Sequence, residues 1–102
     1  MAKIDNAVAL ALANNVTKNF GNTEVRDRAV FLFGNKIAWV STEGLLCVTH
    51  CGWVTRTTMT RLNAILYAFG TGVTVSIKGG EAYYTFGGCT EPFDETLTLY
   101  RK

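Results

Sequence analysis

Between Gly52 and Asn63 the sequence places four threonine hydroxyls and two arginine guanidinium groups around what reads as a helix start. The first backbone N–H groups of a helix have no internal partner and carry partial positive charge. Hydroxyls and arginines beside them can therefore hold a phosphate or a carboxylate. On that reading Thr55, Arg56, Thr60 and Arg61 are the candidate ligand-binding residues. Trp53 adds a large ring with one N–H donor, and Tyr67 and Tyr83 are expected to point outward as further contact residues. The plainer reading of the same stretch is that Thr57 or Thr58 caps the helix, Thr55 and Thr60 face water, and Arg61 pairs with a nearby carboxylate.

Cys47, His50 and Cys51, with Cys89 further on, have the residue types of a zinc site. Alternation along a strand argues against it, because His50 would point away from Cys47 and Cys51. The same alternation separates a cysteine nucleophile from the only histidine as base, leaving Cys89 with His50 as the one open pair. The chain also has no glycine-rich phosphate loop and no paired-carboxylate pattern. We therefore expect a protein that binds rather than catalyses, with no metal and no cofactor.

The chain is 102 residues long and 48% hydrophobic, with a net charge of +2 from ten basic and eight acidic residues. That length accommodates a single domain with one core. The charge forms no basic stripe, so nucleic acid stays open as a partner without being indicated. The longest apolar stretch, Ala7–Ala13, is too short to span a bilayer, and the N-terminus has no signal-like pattern. Three cysteines cannot all pair within one chain, which fits reduced thiols in a cytosol.

The elements that must position these residues read as α+β. Asp5–Asn15 is taken as a short helix capped by Asp5. Arg26–Phe33 and Lys36–Ser41 flank a Gly34-Asn35 turn that would pair Leu32 with Ile37 and Val30 with Trp39. A turn at Glu43-Gly44 leads to Leu45–Cys51, with Trp39 opposite Val48 and Ile37 opposite His50. This three-stranded meander carries Val30, Leu32, Ile37, Trp39, Leu46, Val48 and His50 on one face. Its other face carries Ala29, Phe31, Phe33, Ala38, Val40, Cys47, Thr49 and Cys51. Since both faces are largely apolar, the second must be covered by the N-terminal segment, the C-terminal tail or another copy of the chain, and a homo-oligomer is expected.

From Thr58 to Phe69 the apolar residues Met59, Leu62, Ile65, Leu66 and Phe69 recur with helical spacing. Thr60, Ala64, Tyr67 and Ala68 fall opposite, with Arg61 and Asn63 on the flanks. A Gly79-Gly80 turn then pairs Lys78 with Glu81, Ile77 with Ala82 and Val75 with Tyr84, placing Val73, Val75, Ile77, Ala82, Tyr84 and Phe86 inward. After a Gly87-Gly88 loop and Pro92, residues 96–100 read as a terminal strand. The expected architecture is an antiparallel sheet, built from the meander and the second hairpin, packed against one main helix.

Gly34-Asn35-Lys36-Ile37-Ala38, then Cys51-Gly52-Trp53-Val54-Thr55-Arg56-Thr57-Thr58 and Arg61-Leu62-Asn63, resembles small bacteriophage-encoded proteins of unassigned function. The resemblance covers roughly Thr23–Lys78. It implies a non-enzymatic inhibitor that binds a host or antiviral-defence protein in the bacterial cytosol. It assigns no site residues. The alternatives are sequestration of a phosphate-containing small molecule, such as a nucleotide, at Thr55–Arg61, and nucleic-acid binding through arginines and exposed aromatics.

Overall fold

The structure, a computed structural model, describes residues 3–94 and 96–99. The elements are α1 (Lys3–Ala13), β1 (Lys18–Asn19), β2 (Thr23–Arg26), β3 (Ala29–Leu32), β4 (Asn35–Val40), β5 (Leu46–Val48), α2 (Arg56–Ala68), β6 (Thr74–Lys78), β7 (Glu81–Phe86), β8 (Cys89–Pro92) and β9 (Leu97–Leu99). This is the expected α+β class, but the strands form two antiparallel sheets. The larger runs β1-β2-β3-β4-β5-β9 and the smaller β6-β7-β8.

Both helices join the core with the inner face of the larger sheet. Val8 and Leu12 of α1 lie i, i+4 apart on the buried side, whereas Leu10 turns outward, 59% exposed. Met59, Leu62, Ile65, Leu66 and Phe69 of α2 are all buried as the periodicity requires. Ala64, expected on the far side of α2, is buried as well because α1 packs against that helix. Asp5 lies within the first turn of α1 rather than before it, and its carboxylate goes to α2 instead of capping.

The meander differs from its expected form in three ways. Arg26–Phe33 is not one strand: Asp27 and Arg28, with φ of 51° and 60°, make a tight turn between β2 and β3. The next turn is Phe33-Gly34 rather than Gly34-Asn35, with φ of 50° and 81°, so Leu32 pairs with Asn35. Between Val30 and Phe31 the register then shifts by one, because Phe31 faces Lys36 while Val30 faces Ala38. Ile37 is the extra residue of this bulge, and both Ile37 and Ala38 are buried. Trp39 consequently lies on the outer face and pairs with Cys47, not Val48, while Ala38 takes the core position opposite Val48. β5 ends at Val48, before His50 and Cys51.

The Gly79-Gly80 hairpin has the expected register throughout. Val73, Val75 and Ala82 reach the core, but Ile77 and Phe86 lie toward the ends of the hairpin and are exposed. Gly87-Gly88 is a second tight turn that returns the chain as β8. Leu97–Leu99 supplies the terminal strand by pairing with β5, and Tyr100 of the expected 96–100 segment lies outside the described residues.

Candidate functional site

At the start of α2 the cap is Thr55, whose Oγ1 accepts the Thr58 N–H at 3.3 Å and contacts the Thr58 hydroxyl at 3.0 Å. Thr57 and Thr58 lie inside the helix, and Thr58 is fully buried. The Thr60 hydroxyl donates back to the Thr57 carbonyl at 3.1 Å. Arg61 is only 7% exposed: its Nε donates to Thr23 Oγ1 at 3.0 Å, Nη2 reaches Asn22 Oδ1 at 3.3 Å, and Nη1 pairs with Asp5. Of the four anion-binding candidates only Arg56 presents its charge to solvent, since Arg61 and the Thr55 and Thr60 hydroxyls already have partners within the chain. Arg61 thus takes the plainer of its two expected roles.

Trp53 is half exposed on the loop before this cap, and Tyr67 is 78% exposed on the free side of α2. That loop is folded by His50, Cys51 and Gly52. Cys51 and Gly52, with φ of 54° and 80°, form a tight turn closed by the Trp53 N–H on the His50 carbonyl at 2.8 Å. His50 Nδ1 accepts the Gly52 N–H at 3.0 Å, so Nε2 carries the proton and donates to the Phe93 carbonyl at 2.8 Å. The Phe93 N–H donates in turn to the Ala82 carbonyl at 2.9 Å, and its ring meets the imidazole edge-on at 5.0 Å. Phe93 is therefore fixed through both backbone polar groups and its side chain, which holds the chain at Asp94 beside the smaller sheet.

An open groove of about 300 Å³ results, lined among others by His50, Val54, Glu81, Tyr83, Phe93 and Asp94. Among the described residues no lysine or arginine lines it. The Tyr83 hydroxyl donates to Glu81 at 3.1 Å. That bond, followed by the charge of Glu81, burial and the charge of Asp94, raises the phenol above the ordinary tyrosine value. A second depression of about 460 Å³ lies on the other side of Tyr83, bordered by Ser76, Lys78 and Thr90. Tyr83, a sequence-nominated contact residue, is thus built into a concave surface.

The larger sheet carries a second distinctive surface on its outer face. The Arg26 guanidinium lies 4.2 Å from the centroid of the Phe31 ring, and the Lys36 ammonium 4.9 Å from that of Trp39. Phe33 projects from the adjacent turn, 65% exposed. The two helices and the smaller sheet all enter the core on the opposite side.

The sequence matches the Kyanoviridae Gp96 protein family over residues 1–100. The chain belongs to that family. This establishes the bacteriophage origin that the sequence resemblance implied. No curated protein and no solved structure matches the chain significantly.

In this Gp96-family chain the three cysteines are free. Cys47 is buried beside Thr98 on the outer face, Cys51 donates its thiol to the Lys36 carbonyl at 2.8 Å, and Cys89 is exposed on β8. Among the described residues no three metal-ligating side chains are placed to hold an ion, and no helix is long and apolar enough to cross a membrane. Sequence reasoning missed Glu81 and Asp94 as groove residues, and Arg26, Lys36 and Trp39 as members of the outer face that carries Phe31 and Phe33. Alternation did signal Phe31 and Phe33 as outward, but Trp39 was hidden by the bulge at Ile37.

Proposed function

We propose that this phage protein is a non-enzymatic binding protein that occupies a host or antiviral-defence protein in the bacterial cytosol, using the groove around Tyr83. The observation that carries this reading is the anchored Phe93. A surface already held in shape loses little freedom on association, so its contacts convert more fully into affinity. The groove offers two carboxylates, an aromatic ring and the apolar flank of Val54, which suits a partner presenting a lysine or arginine on an aliphatic stem. The alternative of a phosphate held at the start of α2 has lost Arg61 to Asp5 and Thr55 to its capping role.

The test is affinity capture from host-cell lysate with the wild-type chain and with Glu81→Gln/Asp94→Asn and Tyr83→Ala variants, each checked for native circular dichroism. A protein retained by the wild type and lost from the groove variants supports the reading. Equal retention by all three chains would refute it.

A further inference from the structure

The outer face of the larger sheet has features that the groove does not explain. Residues 18–40, which contain β1 to β4, hold four basic residues against two acidic ones, while the rest of the chain has six of each. The entire net charge of +2 therefore resides in the segment that also presents Phe31, Phe33 and Trp39. Among the described residues Lys18, Arg28 and Lys36 make no ion pair, whereas Arg26 is shared between Glu24 and Asp27. A shallow groove of about 310 Å³ runs along this face between Asn19, Arg26, Phe31 and Phe33.

Aromatic rings on a sheet face beside lysine and arginine side chains match the needs of an unpaired nucleic-acid strand. Each base offers a π-face that stacks on an aromatic side chain whatever its sequence, and the phosphates between bases take up lysine and arginine. Double-stranded nucleic acid keeps its bases stacked inside and cannot use such rings. We propose that this face binds single-stranded nucleic acid, with bases stacked on Phe33, Phe31 and Trp39 and phosphates held by Lys36 and Arg26. In the free protein the two cations lie over the Phe31 and Trp39 rings. On binding they swing to the phosphates and the bases take their places. This activity is separate from the groove around Tyr83 and stands or falls independently of it.

The test uses fluorescein-labelled single-stranded oligonucleotides of DNA and of RNA, with the matching duplexes, in fluorescence anisotropy. A Trp53→Phe background leaves Trp39 as the only indole, so that stacking is read as quenching of its emission. The expected result is single-strand binding with quenching, weakening roughly tenfold between about 50 and about 300 mM salt because few phosphates are engaged. Phe33→Asn removes the exposed ring while suiting the left-handed backbone there, and should weaken binding at least about fivefold. Lys36→Ala should weaken it and flatten the salt dependence, whereas Tyr67→Ala on α2 should change nothing. Absence of binding at low salt, equal affinity for duplex, or affinity unmoved by Phe33→Asn would overturn the proposal. So would sedimentation showing that the face is closed by a second copy, with Phe33→Asn yielding monomers.

Discussion

Arg61 of α2 pairs with Asp5 of α1 in the interior, and the same guanidinium reaches Thr23 at the start of β2. One side chain thus joins both helices to the larger sheet. Its remaining contact, to Asn22, is to an amide that also accepts the Thr23 hydroxyl at 2.8 Å, so the network is closed on itself. Removing one member of a buried pair strands the other without water, which costs about 3–5 kcal/mol. Arg61→Ala and Asp5→Ala should each lower the urea midpoint by that order. The double variant Asp5→Leu/Arg61→Met should recover much of the loss, because neither charge is then left alone. A double variant no more stable than the singles would show that the pair contributes by its attraction rather than by avoiding an orphaned charge.

Asn63 closes the free edge of β6. Its Oδ1 accepts the Val75 N–H at 2.7 Å and its Nδ2 donates to the Val75 carbonyl at 2.9 Å, so the amide imitates a neighbouring strand. Asn63→Ala leaves both Val75 groups unsatisfied beside the core, at about 1–3 kcal/mol. The effect should be local. Hydrogen exchange at the Val75 amide should accelerate strongly while amides in β3 and β4 slow or quicken only with global stability. Asn63→Asp should retain the Val75 N–H bond and lose the other, giving an intermediate exchange rate.

These two residues mark where sequence ceased to be informative. Helical spacing located the buried stripe of α2, and glycine pairs located the Gly79-Gly80 hairpin with its register, because both signals are local. Asn63 and Arg61 were placed only on the flanks of the helix, since their partners lie on elements distant in sequence. The sequence points to Thr57 or Thr58 as cap whereas the cap is Thr55, because all three are chemically competent and the choice depends on where the chain leaves β5. Two sheets form because β9 takes the edge of β5, while β8, whose Cys-Thr-Glu-Pro sequence carries no strand pattern, extends the second hairpin.

Cys51 has a distinct pH signature. Its thiol donates to the Lys36 carbonyl, and partial desolvation on the otherwise exposed side chain raises its pKa above the ordinary thiol value. The neutral form is thus favoured in the folded protein, and alkylation, which needs the thiolate, is slowed. With iodoacetamide near neutral pH, Cys89 should be modified first and Cys51 later, with buried Cys47 slowest. As pH rises, the Cys51 rate should climb only beyond the range in which a free cysteine peptide has already reached its plateau. Mass spectrometry of timed digests gives the three rates. Cys51 reacting as fast as the free peptide at every pH would contradict the hydrogen bond.

The turn between β2 and β3 offers a prediction of opposite sign. Asp27 and Arg28 both occupy the left-handed region, which is unfavourable for a side chain such as arginine, and no glycine marks the turn in the sequence. Tight hairpins of this kind favour Asn-Gly because asparagine tolerates positive φ and glycine has no Cβ to strain it. Asp27→Asn/Arg28→Gly should therefore relieve strain in the folded state. Glycine also adds freedom to the unfolded chain, which offsets part of the gain. Asp27 contacts Arg26 only at 3.4 Å in an exposed pair, so losing its charge should cost little. The net expectation is stabilisation of about 0.5–1 kcal/mol, read as a higher urea midpoint at unchanged slope. A lower midpoint would mean that the turn residues stabilise the hairpin through contacts other than their backbone conformation.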